Sequence, residues 1–262
     1  WDGSLVGEQA AKGSSIPTAA PLAGERKVIA HRAFQELSAG GLVNLGVGVP
    51  EGVAVMLEAA QRAGSAPPAT LTTEAGMFGG FPSAGPRFGT SRGAGGRTTL
   101  ATMIDLYVGG GVDTAVLGMA QVDEHGCVNV SNFGPRSPGC GGFIDISQNA
   151  KAVVFAGTFT SGGLRVRVGR GRLEILSEGR QRKFLKRVVE ITFNARHLAP
   201  GQSVLYVTER AVFKLRPDGG GLQLVEIAPG VDLHKDVLAH MDFAPVVEKV
   251  ERMPSELFWP MP

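Results

Sequence analysis

The sequence holds only two cysteines, Cys127 and Cys140, among 262 residues. A disulfide framework is excluded as the source of stability, and a reducing, cytoplasmic setting is the expectation. His125, Cys127 and Cys140 lack zinc-site spacing, and His234 and His240 do not share a helix face, so no metal site is expected. No apolar run approaches the ~20 residues needed to cross a bilayer, and no charged-then-apolar leader opens the chain. A membrane protein is therefore not expected. Charge of one sign is also missing. Lys plus Arg number 26 against 24 Asp plus Glu, a net charge of +2, which gives no electrostatic footprint for nucleic acid. There is no G-x-S-x-G elbow, no phosphate-cradling Walker loop, no H-E-x-x-H and no internal repeat.

Glycine is what the chain has in plenty: 38 residues, clustered and without a collagen-like period. Such clusters mark loops where backbone comes close to a ligand. With 43% hydrophobic and 19% charged residues the balance is that of a globular protein, slightly longer than one usual domain. The first residue is Trp1, and residues 1–24 are small, polar and Pro/Ser-rich with no apolar period. They read as a linker or flexible tail of something longer, and residues 25–262 as a single catalytic domain.

From Glu25 the pattern alternates. Helices are expected over Arg26–Ala39, Glu51–Gln61 and Thr98–Tyr107, with a final amphipathic one over Val231–His240. Buried strands are expected at Leu42–Leu45, Leu71–Thr73, Thr114–Met119 and Ala152–Phe155. A hairpin over Leu164–Leu176 and a late meander over Ser203–Val207, Ala211–Leu215 and Leu222–Ile227 follow. Residues 76–96 read as a long glycine-rich loop, and loops of that length inside a domain are usually functional. Early alternation followed by antiparallel strands predicts a three-layer α/β/α sandwich with a mixed central sheet.

Three stretches could carry chemistry. Gly46-Val47-Gly48-Val49-Pro50-Glu51-Gly52 joins a strand to a helix, but its third glycine falls one place late for a dinucleotide fingerprint; a tight turn is the favoured reading. Glu74 closes an apolar strand and is followed by Ala-Gly-Met-Phe-Gly-Gly. At the carboxyl end of a strand in an open α/β sheet, a carboxylate can serve as base or as covalent nucleophile. A surface or helix-capping glutamate is the alternative. The basic residues from Arg165 to Arg187 have little aromatic interleaving, so a solvated hairpin face or phosphate contacts to a small ligand fit them better than nucleic acid.

Several stretches together resemble the β-type, C-terminal half of family I coenzyme A transferases. They are Val43–Ala54 (VNLGVGVPEGVA), Thr72–Gly80 (TTEAGMFGG), Gly109–Ser131, Cys140–Lys151 (CGGFIDISQNAK), Ile191–Leu198, Tyr206–Leu215 (YVTERAVFKL) and Val225–Phe243. The likeness is nearest to the fused short-chain acyl-CoA:acetate or propionate CoA-transferases, and it runs from Glu25 to about Phe243. The resemblance implies transfer of CoA between a short-chain acyl-CoA and a carboxylic acid of the acetate, propionate or 3-oxoacid class, by a ping-pong route. Glu74 stands where the family's nucleophilic glutamate is expected; it would form a mixed anhydride and then a glutamyl-CoA thioester. Similarity further implies Asn129 and Gly162 as donors to the thioester carbonyls, and Gly141-Gly142 as CoA contacts. Ala75 stands where many two-subunit members carry Asn, a departure that bears on acyl specificity. No tightly bound cofactor is implied, CoA and acyl-CoA being substrates. The implied partner is an α-type half, separate or removed by cleavage, in a hetero-oligomer or higher oligomer. A thioesterase of the same fold and a non-catalytic CoA-binding subunit are the alternative functions.

Overall fold

The computed structural model describes residues 22–37, 41–83 and 87–259. Among the described residues there are four α-helices: α1 (Gly24–Phe34), α2 (Glu51–Arg62), α3 (Leu100–Val108) and α4 (Phe143–Asn149). Ten strands form the main sheet: β1 (Leu42–Leu45), β2 (Thr70–Thr72), β3 (Met77–Phe78), β4 (Gly96–Arg97), β5 (Thr114–Gly118), β6 (Ala152–Ala156), β7 (Ser203–Val207), β8 (Ala211–Leu215), β9 (Leu222–Ile227) and β10 (Glu251–Arg252). Their spatial order is β10-β9-β8-β7-β6-β5-β1-β2-β3-β4.

Five of these strands run parallel, β2-β1-β5-β6-β7, with Asn44 of β1 beside both Thr72 of β2 and Ala115 of β5. Their runs, such as Ala115-Val116-Leu117 and Val153-Val154-Phe155, are buried without alternation, as a parallel sheet covered on both faces requires. From β1 to β2 the chain steps one way along the sheet; from β2 to β5 and on to β6 it steps the other way. Right-handed crossovers therefore put α2 on one face and α3 and α4 on the other. β7, β8 and β9 continue as the expected antiparallel meander. The outcome is the three-layer α/β/α sandwich with a mixed sheet. Thr99 opens α3 by accepting a hydrogen bond from the Thr102 N–H at 3.1 Å, an N-cap that fixes where the helix begins. At the core Phe155 of β6 packs on Phe143 of α4, Phe193 and Tyr206, with ring centroids 5.8, 5.0 and 5.4 Å away.

Four expectations are revised. Residues 76–96 are not a plain loop: β3 pairs with β4, and Phe81–Pro82 pairs with Ser91–Arg92. Strands of two residues carry no period to read. The helix expected over Val231–His240 is one wide turn at Leu233–Val237 followed by a tight 3₁₀ turn at Leu238–His240. The Asp232 side chain, accepting from the Lys235 N–H at 2.7 Å, starts a coil that never becomes an α-helix. The first helix occupies Gly24–Phe34 rather than Arg26–Ala39. Leu22 packs against the core, so the folded part begins before residue 25; the linker reading of residues 1–21 lies outside the described residues. Among the described residues no helix is long and apolar enough to cross a membrane.

A buried ionic cluster closes the turn between β7 and β8. Arg210 is fully buried, and its guanidinium donates to Glu209 at 2.7 Å, Glu178 at 2.6 Å and the Asp236 carbonyl at 2.9 Å, while lying 4.9 Å from the Phe159 ring centre. Burial alone would raise the Glu178 carboxyl, but the hydrogen bonds from Arg210 and Thr160 outweigh it and hold it at about 2. Truncating one partner of such a cluster leaves charge uncompensated in the interior. Arg210→Ala should therefore lose about 3–5 kcal/mol of stability, read as a lowered midpoint in urea unfolding.

Candidate active site

Strand order places the site. The connections from β1 and from β5 leave in opposite directions, so the order reverses between these two neighbours. In open α/β sheets the ligand crevice lies outside the carboxyl ends of the strands at such a reversal. A cleft of about 400 Å³ is found there, with Gly46 and Val47 leaving β1, Leu117 and Gly118 ending β5, and Glu74 just beyond β2. The facing wall is the Pro138–Phe143 segment that leads into α4.

Glu74 sits in a tight turn. The Thr73 N–H donates to the Met77 carbonyl at 3.1 Å, and the Gly76 N–H donates back to the Thr73 carbonyl at 2.9 Å. Gly76 has φ +98°, and a Cβ there would lie 2.2 Å from the Thr98 carbonyl oxygen, so the turn demands glycine. The Gly142 backbone N–H lies against the Glu74 carboxylate and favours its charged form. Burial pushes its pKa above the ordinary glutamate value; the Gly142 N–H opposes this rise, and the neighbouring Asp145 charge adds to it. Gly142 also makes room: a Cβ on it would stand 2.8 Å from Glu74 Cδ and 2.9 Å from Oε2. A half-buried carboxylate beside a backbone donor, in a mostly apolar cleft, is equipped for nucleophilic attack with an N–H at hand for developing charge.

Of the residues singled out from sequence, the structure brings Glu74, Gly141 and Gly142 together in the cleft. Asn129 and Gly162 are not among its lining. The Asn129 amide is fully buried and spent locally: Nδ2 donates to Gln121 Oε1 and to the Asn132 carbonyl, both at 2.7 Å, and Oδ1 accepts from the Ser131 and Asn132 N–H groups at 3.0 and 3.1 Å. It braces the turn behind Val130, which does line the cleft. Gly162 sits in the turn after Thr160–Ser161, where its carbonyl accepts from the Arg180 N–H at 3.3 Å. Several basic residues of the 165–187 segment are ion-paired at the surface, Arg167 with Glu174 at 2.9 Å and Arg182 with Asp242 at 2.7 Å, so that segment adds nothing to the cleft. Sequence reading missed Cys140, Phe143 and Val47 as lining, since only the strand order gathers them. Among the described residues no group of three or more His, Cys, Asp or Glu side chains could hold a metal ion.

No family model matches the chain. The chain is 49% identical over 241 residues to a caffeate CoA-transferase of Acetobacterium woodii, an alignment covering 89% of this chain and 45% of that protein. It is 32% identical over 217 residues to the β subunit of an Escherichia coli K12 acetate CoA-transferase, covering 78% of this chain and 86% of the subunit. A crystal structure of the acyl-CoA transferase YdiF of E. coli O157:H7, in a thioester complex with CoA, matches with a TM-score of 0.80 at 42% identity, covering 92% of this chain and 45% of that one. The chain thus spans about half the length of the caffeate CoA-transferase and of YdiF, and most of the length of the β subunit. On these grounds the chain belongs to the family I coenzyme A transferases, as a β-type half.

Proposed function

We propose that this chain, with an α-type half, moves coenzyme A between a short-chain acyl-CoA and a carboxylic acid, using Glu74 as the covalent nucleophile. The observation that carries the reading is the Glu74 carboxylate, half-buried at the strand reversal with the Gly142 N–H on it. A Glu74 oxygen attacks the thioester carbonyl carbon, the C–S bond breaks, and CoA leaves as thiolate with a mixed anhydride formed. The thiolate attacks the glutamyl carbonyl and expels the first acid as carboxylate, leaving glutamyl-CoA. A second carboxylate then reverses these two steps and departs as the new acyl-CoA. Each addition places negative charge on an oxygen, which the backbone donor beside Glu74 is placed to receive. No resident cofactor enters these steps. The YdiF relative captured as a thioester with CoA supports this route, and the β subunit among the relatives supports a hetero-oligomeric assembly with an α-type half. The proposed setting is the cytoplasm, which the free thiols of Cys127 and Cys140 fit.

The test is trapping. The assembled enzyme is mixed with acyl-CoA, reduced with borohydride and digested, and mass analysis should find the modified residue in the Thr72–Gly80 peptide. Labelling elsewhere overturns the reading, and acid release without an acceptor would mark a thioesterase instead. The attacking form is the carboxylate, so adduct formation should slow as pH falls through the Glu74 pKa. Because burial raises that pKa, the acid limb should lie above the range of an ordinary glutamate.

A further inference from the structure

Beneath Glu74 three buried polar side chains from three elements meet at one atom. Asn44 of β1 donates through Nδ2 to the Tyr107 hydroxyl at 3.1 Å. Tyr107 of α3 donates to Thr72 Oγ1 of β2 at 3.0 Å, and Thr72 in turn donates to the Val43 carbonyl at 3.1 Å. Tyr107 is fully buried, and Asn44 and Thr72 are 2% and 1% exposed. Asn44 and Thr72 are direct register partners, so the phenol joins the last rungs of β1 and β2 to the helix on the face above. These are the rungs from which both the Gly46-Val47 wall and the Glu74 turn depart.

A phenylalanine would fill the same space, so the hydroxyl is present for its bonds and not for its volume. Buried polar chains of this kind fix one geometry when every member is satisfied. The phenol also stays a neutral donor. Burial raises its pKa, the Thr72 and Asn44 bonds oppose that, and the Glu74 charge raises it again.

We propose that Tyr107, acting through Thr72, is a positioning residue that sets the direction in which the Glu74 carboxylate leaves the sheet. The inference rests on the reading of Glu74 as nucleophile. Thr72 is separated from Glu74 by one residue, and a shift of ~1 Å from attack geometry can cost on the order of a hundredfold in rate.

The experiment measures single-turnover adduct formation at Glu74 over a range of acyl-CoA concentrations, in the enzyme assembled with its α-type half. Tyr107→Phe should lower the limiting rate about tenfold or more, with the half-saturating acyl-CoA concentration unchanged. Thr72→Val should do the same, and Thr72→Ser, which keeps the hydroxyl, should recover most of that loss. The double variant Tyr107→Phe/Thr72→Val should be no slower than the slower single one, because both cut the same link. If Tyr107→Phe does not fold, the contrast between Thr72→Val and Thr72→Ser decides. A limiting rate unchanged in both single variants, a change confined to half-saturation, or losses that multiply in the double variant would overturn the proposal. An adduct absent from the wild-type enzyme overturns the Glu74 reading and this inference with it; an adduct formed equally fast in wild type and variants overturns this inference alone.

Discussion

Glu74→Gln should abolish both the covalent adduct and CoA exchange between acyl-CoA and labelled acid. Glutamine matches glutamate in size and can occupy the same place beside Gly142, so the fold and the cleft should persist. What is lost is the negative oxygen that attacks the thioester. Removing a nucleophile from a working catalytic set lowers turnover on the order of 10⁴–10⁶-fold, which sets the expected scale. Glu74→Asp keeps the charge but draws it back by one methylene, away from the cleft and from the Gly142 N–H. A displacement of ~1 Å costs on the order of a hundredfold, so this variant should form the adduct slowly rather than not at all. Equal activity of the wild-type, Gln and Asp forms would remove Glu74 from the mechanism.

Gly142→Ala should cost about as much activity as Glu74→Asp while leaving the fold intact. Gly142 has φ −81°, an ordinary value for alanine, and as the residue preceding α4, where glycine is preferred to alanine, it loses about half a kcal/mol by the change. The added methyl, however, would lie 2.8 Å from Glu74 Cδ, closer than real contacts allow. The carboxylate or the N–H that serves it must shift. The expected result is a drop in kcat/KM of roughly a hundredfold, with unfolding free energy changed by less than about 1 kcal/mol. A variant with full activity would show that the carboxylate does not need the position seen here.

Much of this was legible in the chain itself. Leu42–Leu45, the glycine turn and the Glu51 helix announce a strand-turn-helix unit, and Glu74 stands out because an apolar strand stops at it and glycines follow. What the sequence does not carry is which strands become neighbours. Gly142 meets Glu74 only because β1 and β5 sit side by side and α4 starts over the cleft, a matter of packing between distant segments. Tyr107 reads locally as one more apolar position of α3; its partners on β1 and β2 appear only in three dimensions. The ladder within residues 77–97 escapes because two-residue strands have no alternation. Asn129 shows the opposite case, a residue marked by its motif whose amide is consumed by its own turn.

The order of synthesis gives the strand reversal a further meaning. β1 emerges from the ribosome well before β5, yet it finishes between β2 and β5. Until β5 arrives, one long edge of β1 bears unpaired backbone groups, and such edges template pairing between chains. Gly142 follows later still, so the carboxylate can meet its donor only after both β1 and β5 have been made. A nascent chain at that stage holds an apolar, half-paired sheet of non-local contacts, the kind that folds slowly and sticks to its copies. Production of this half should accordingly be most prone to inclusion bodies when translation is fast and the chain is warm, and slower synthesis at lower temperature should recover soluble protein.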